Sequence, residues 1–151
     1  MGKNRDDSFA KFHDSLLNEI ISEAERSYRV SVTPSARAIA GLSMGGEQSL
    51  LFGLNEPGRF VWIGAFSSGG LKTNFDKRFP NVNKRVNRQF RLVWIACGKE
   101  DKLFESNQGF EQWVDTKGVA HIWVAEPGRH SFLVWRRFLA EFAPLLFQGK
   151  R

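Results

Sequence analysis

Residues 37–53 read RAIAGLSMGGEQSLLFG. A short apolar run leads into Gly-Leu-Ser-Met-Gly-Gly, and helical spacing follows at once. The chain therefore has to turn from a strand into a helix within a few residues, with glycines on both sides of a serine. In that context Gly41-Leu42-Ser43-Met44-Gly45 fits G-x-S-x-G, a sharp turn that lifts a serine hydroxyl above the end of a sheet. A side chain at Gly41 or Gly45 is expected to collide with the neighbouring turn. The Met44 N–H, at the start of the helix, would point at the space beside the Ser43 hydroxyl and serve as an oxyanion donor.

The rest of the chain supplies a setting for that turn. Apolar positions from Phe9 to Tyr28 recur at helical steps, so a helix is expected over 8–28 with Ser8 as its N-cap. Apolar runs at 37–43, 60–68, 90–98 and 120–128 read as strands. Met44 to Leu54 reads as a helix stopped by Asn55-Glu56-Pro57-Gly58. A further helix is expected before Gly118, and a last one from about Ser131 to Phe147, bent or shortened at Pro144. Nearly continuous hydrophobic strands alternating with helices indicate an α/β chain of about four parallel strands, covered on both faces. No internal repeat or linker divides residues 1–151, so a single domain is expected. Trp62, Trp94, Trp113, Trp123 and Trp135 are assigned to the core, and Cys97 to a buried apolar position.

A serine hydroxyl needs a base, and the chain has three histidines. His13 precedes the serine, in the first helix. His121 begins the fourth strand, at the opposite sheet edge from Ser43. His130 follows that strand and so shares the edge of Ser43, which makes it the base candidate. Asp101, just past the third strand, reaches the same edge and would orient His130, with the adjacent Glu100 as fallback. Asp115 lies within a helix and Asp76 in a basic segment. Ser67 and Ser68 end the second strand near this edge and are candidates for lining the substrate site.

Charge narrows the remaining classes. Residues 72–91 hold seven basic residues against Asp76, and this one segment accounts for the whole net charge of +6. It reads either as a lid or anion-attracting surface near the pocket mouth or as a solvated helix and loop. Phe75, Phe79 and Phe90 interleave with the charges, but no nucleic-acid-binding module surrounds them, so nucleic acid is not an expected partner. No metal-ligand spacing and no nucleotide-binding glycine motif occurs, so neither a metal nor a cofactor is indicated. A single cysteine permits no internal disulfide. No run is long enough to span a membrane, and MGKNRDDSFAKF lacks the apolar stretch of a signal peptide, which makes a cytoplasmic location the default expectation.

The stretches RAIAGLSMGGEQSLLFGLNEPGRFVWIGAFSS and GKEDKLFESNQGFEQWVDTKGVAHIWVAEPGRHSFLVWRRFLAEFAPLLF resemble the esterase branch of the α/β-hydrolases that includes bacterial feruloyl, acetyl-xylan and enterochelin esterases. The resemblance implies Ser43 as nucleophile, Asp101 as acid and His130 as base, acting on short-chain or aryl, feruloyl-type esters. Two local departures are Arg129, where the family usually has a small residue, and Ser131-Phe132, where it commonly has Asp-Trp. Arg129 is accordingly a candidate for substrate preference. The family also carries several strands before the first helix seen here, and a loop among them supplies the second oxyanion N–H. By that comparison the chain reads as a truncated α/β-hydrolase domain, and strand 37–43 is left with an open apolar edge, which soluble proteins avoid. A homo-oligomer is therefore expected, most simply a twofold dimer covering that edge. Two other readings stay open: a catalytically weak oligomeric remnant acting as a binding domain, and an acyltransferase.

Overall fold

The computed structural model describes residues 2–72 and 74–148; the side chains of residues 2–6 lie outside that description, as does Thr73 of the basic segment. Four strands, β1 (Ala38–Leu42), β2 (Trp62–Phe66), β3 (Leu92–Gly98) and β4 (Ile122–Glu126), form one sheet in the order β1-β2-β3-β4, and every neighbouring pair is parallel. The helices are α1 (Gly2–Ser15), α2 (Ile21–Ser27), α3 (Met44–Asn55), α4 (Phe75–Arg78), α5 (Phe104–Thr116) and α6 (Phe132–Phe142). A π-helical turn, Leu16–Ile20, joins α1 to α2. Helix α1 begins well before the expected start at Ser8, because Gly2–Asp7 continue the helix with no apolar position to betray it. The last helix ends at Phe142, and Ala143–Leu145 tightens into a 3-10 turn around Pro144.

Alternation along the central strands builds two cores. Ile63 and Ala65 of β2 and Val93 and Ile95 of β3 pack with Leu50 and Leu54 of α3 and Phe110 and Val114 of α5. Phe66, Trp94 and Ala96 face the other way and meet Val134, Trp135, Phe138 and Phe142 of α6. A sheet covered on both faces explains why its strands read as unbroken apolar runs. Trp62 and Trp94 are buried as expected, whereas Trp113 and Trp123 pack only partly buried against the first core. Gly64 lets β2 approach α6: a Cβ there would lie 2.6 Å from the Phe142 ring.

The basic segment is the crossover between β2 and β3. Its charges stay largely at the surface, while Phe79, Val82 and Val86, with Leu71 just before the segment, are buried in the core beside α3 and α5. The segment thus covers the sheet with short helical turns in place of one long helix. One of its cations turns inward: Arg78 donates to Glu47 of α3 at 2.6 Å and to the Gly70 carbonyl at 2.6 Å. Asp76 is held below the usual carboxylate range, chiefly by the hydrogen bond from Lys117.

Cys97, near the end of β3, is fully buried, and burial pushes its thiol up to about 12. The folded thiol stays protonated where an unfolded one ionises, near 8.5. The fold should therefore lose stability from this group as pH climbs from about 8.5 towards 12. At pH 8 the native protein is expected to resist a thiol-alkylating reagent and to react once unfolded in urea; rapid native alkylation contradicts the packing. Gly64→Ala is expected to lower stability by about 1–3 kcal/mol in urea denaturation, and Phe142→Leu in the same chain to recover part of it.

Candidate active site

Aligned parallel strands bring four loops to one sheet edge. Leu42, Phe66, Ala96 and Val124 stand side by side in register. Ser43 follows β1, Ser67 and Ser68 follow β2, Asp101 follows β3 and His130 follows β4. This carboxyl edge is where open α/β sheets place their sites.

Ser43 has φ 53° and ψ −117°, a backbone conformation that costs a non-glycine residue about 1–3 kcal/mol. Three hydrogen bonds hold it there. Its N–H donates to the Phe66 carbonyl at 2.9 Å, and its carbonyl accepts from Gly69 at 2.8 Å and Glu47 at 3.2 Å. A Cβ on Gly41 would lie 2.4 Å from the Gly45 backbone. The expectation for Gly45 itself is corrected: a Cβ there would meet nothing within 4 Å. The second crowded position is Gly46, whose Cβ would lie 2.7 Å from Ser68 Oγ. Gly41 and Gly46 thus serve close packing of α3 against the end of β1 and the loop after β2. Met44 is the first residue of α3, so its N–H has no carbonyl within the helix to serve, and its side chain is exposed.

The Ser43 hydroxyl is 3.0 Å from His130 Nε2, and His130 Nδ1 is 2.8 Å from Asp101 Oδ2. A carboxylate only accepts, so Nδ1 carries the proton and Nε2 is left to accept from the serine. The Asp101 side chain is completely buried, and its other oxygen accepts from the Leu103 N–H at 2.9 Å. Glu100 points elsewhere: its carboxylate accepts from the Gly128 N–H and ties the loop carrying His130 to the loop carrying Asp101. The loop carrying His130 passes so close to the end of β3 that a Cβ on Gly98 would lie 2.1 Å from the Gly128 carbonyl oxygen. His13 and His121 lie away from this edge, beside Glu56 and Glu111 respectively.

The structure separates the candidates for lining the site. Arg129 is exposed beside His130. Ser67 and Ser68 have no exposed surface. They stand behind the site rather than facing a ligand: Asn107 of α5 clamps both the N–H and the carbonyl of Ser68, and the Ser67 hydroxyl accepts from Trp135 Nε1. Trp135, read as plain core, also reaches the site: its ring lies 4.7 Å from that of His130, at 88°. Exposed Phe132 packs edge-on against Trp135 at 5.2 Å, which puts an accessible aromatic ring near the imidazole. Asn107, Glu47 and Trp135 act through contacts 31 to 68 residues away in sequence, which no local pattern announces. Among the described residues no cluster of potential ligands fits a metal ion, and no helix is long and apolar enough to cross a membrane.

Solved structures of esterases share this arrangement of strands and helices. A ferulic acid esterase superposes with a TM-score of 0.78 at 22% identity, over 91% of this chain and 62% of its own. A ferulic acid esterase from Anaeromyces mucronatus in complex with ferulic acid gives 0.77 at 20% identity, over 90% and 54%. Both likenesses carry the α/β-hydrolase fold. In sequence, the chain is 29% identical over 138 residues to an endo-1,4-beta-xylanase/feruloyl esterase of Xylanibacter ruminicola, covering 91% of this chain but 18% of that protein. The chain thus spans under two thirds of the length of these relatives. The family model described as "Putative esterase" matches residues 3–143, from the first helix to the last. On that match, and with the fold it predicts in place, the chain belongs to this esterase family.

Proposed function

We propose that the chain hydrolyses carboxylic esters through a covalent acyl-enzyme on Ser43. The observation that carries this reading is the continuous relay from Ser43 Oγ to His130 Nε2, 3.0 Å, and from His130 Nδ1 to Asp101, 2.8 Å, at a strained strand-to-helix turn. Ser43 Oγ attacks the ester carbonyl carbon while its proton passes to Nε2. The carbonyl oxygen, now an anion, takes the Met44 N–H at the positive end of α3. The bond to the leaving oxygen breaks, and Nε2 returns the proton to that oxygen. Water then attacks the acyl carbon, gives a proton to Nε2, and releases the acid as Ser43 recovers its own. Asp101 holds the Nδ1–H tautomer and stabilises the imidazolium in both steps.

Short-chain and aryl, feruloyl-type esters are the proposed substrate class. Support comes from the feruloyl esterases among the relatives and from the accessible apolar groups at the mouth, Met44 and Phe132. Arg129, exposed beside the base, is the proposed contact for a polar or anionic part of the substrate.

The proposed assembly is a twofold dimer across β1. That strand ends the sheet order, and Ala38–Leu42 contains no charge or proline that would blunt pairing with another strand. Light scattering at micromolar concentration is expected to return twice the chain mass; a monomer contradicts the dimer.

Ser43→Ala is expected to lower turnover of an aryl acetate and of a ferulate ester by about 10⁴-fold or more with the fold retained. Asp101→Asn, similar in shape but favouring the wrong tautomer, should lower kcat by about 10⁴-fold. Steady-state rates with circular dichroism as the fold control check both. Unchanged turnover in Ser43→Ala refutes the assignment.

A further inference from the structure

Behind the relay lies a buried cluster that the hydrolysis scheme leaves unused. Ser67 stands at φ 47°, the left-handed region that a glycine would occupy without strain. What a glycine would lack is the hydroxyl. Ser67 Oγ accepts from Trp135 Nε1 at 3.1 Å and lies 3.8 Å from Cys97 Sγ, with no exposed surface of its own. Trp135 in turn packs perpendicular to His130, ring centres 4.7 Å apart.

His130 needs such a support. Its side chain is 25% exposed, and on its Nδ1 side one hydrogen bond, to Asp101, holds the ring. A single hydrogen bond fixes Nδ1 but leaves the ring free to tilt about it. Tilting moves Nε2, the atom that must meet both the serine oxygen and the leaving oxygen, and small misplacements of reacting groups lower rates steeply. A perpendicular indole against the imidazole blocks that tilt. The indole is itself kept from swinging by its N–H bond to Ser67.

Resting on the serine-hydrolase reading above, we infer that Ser67 and Trp135 form one positioning unit for His130: the strained serine anchors the indole, and the indole sets the plane of the base. Both residues are buried, Ser67 completely and Trp135 nearly so, which leaves them to act through His130. The strain at Ser67 is retained because the hydroxyl is needed as the anchor.

A double-mutant cycle tests the unit. Ser67→Ala and Trp135→Phe should each lower kcat about tenfold with KM within about twofold, since placement of the base is lost and ground-state binding is not. The double variant should be no slower than the slower single one, because the two residues act through one contact. Phe138→Leu is the packing control. Phe138 is fully buried in the same cluster but packs on Phe66 and Trp94. That variant should melt at a lower temperature and keep its kcat. An NMR measurement that needs no turnover accompanies the cycle: the His130 Nδ1 proton should exchange with solvent faster in both single variants than in the parent protein. Unchanged kcat and exchange in the single variants, losses that multiply in the double, or an equal loss in Phe138→Leu would each overturn the inference. Activity surviving Ser43→Ala would instead remove the serine reading, and the exchange rates would still decide whether the unit sets the ring.

Discussion

The close approach of Gly41 to Gly45 is the contact on which the site depends. With no Cβ at Gly41, the first turn of α3 can fold back over the end of β1. That fold-back places Ser43 in a backbone state that costs about 1–3 kcal/mol. The cost is offset by bonds to three different elements: the Phe66 carbonyl of β2, the Gly69 N–H of the next loop and the Glu47 N–H of α3. The strain therefore persists because the sheet, the loop and the helix jointly over-determine the turn. Glu47 also links this arrangement to the crossover through Arg78, so a segment that looks like a charged surface helps hold the loop behind the serine.

From that point the parallel sheet does most of the positioning. Each strand delivers one loop to the same edge, and the register sets the ends of the strands level. Level ends leave residues far apart in sequence within a hydrogen bond of each other, as Ser43 and His130 are across 87 positions. Fine alignment comes from the loops themselves. Glu100 and Gly128 lock the third and fourth loops together, Leu103 satisfies the second Asp101 oxygen, and Trp135 stands against the imidazole. Each buried polar group that orients His130 is itself held by a backbone or side-chain partner, as a low-dielectric setting requires.

Much of this was legible in the residues because two signals are local. Apolar runs broken by glycine and proline announced the four strands, and their alternation with helices announced a parallel order. Once the order was parallel, the sheet edge set His130 apart from His121; His13 was set aside by its place in the first helix, Asp115 by lying within a helix and Asp76 by lying in the basic segment, with Glu100 kept beside Asp101 as the fallback. What was not legible depends on contacts between distant segments. Which glycine is crowded depends on where Ser68 lies, so Gly46 and not Gly45 proved the tight position. The core role of residues 72–91 was hidden because Phe79, Val82 and Val86 keep no regular period among the charges. Ser67 and Ser68 were placed at the correct edge, but burial is a property of what packs above them, here Asn107 and Trp135. The early start of α1 went unseen because polar helix carries no amphipathic pattern.

The central claim is that His130 activates Ser43, and covalent capture tests it most directly. A fluorophosphonate reacts at a serine whose hydroxyl is deprotonated by a neighbouring base, and peptide mass spectrometry locates the adduct. The account predicts one adduct, on Ser43, formed in the native protein and lost in His130→Ala. An absence of adduct at Ser43, or labelling that proceeds undiminished without His130, would contradict it.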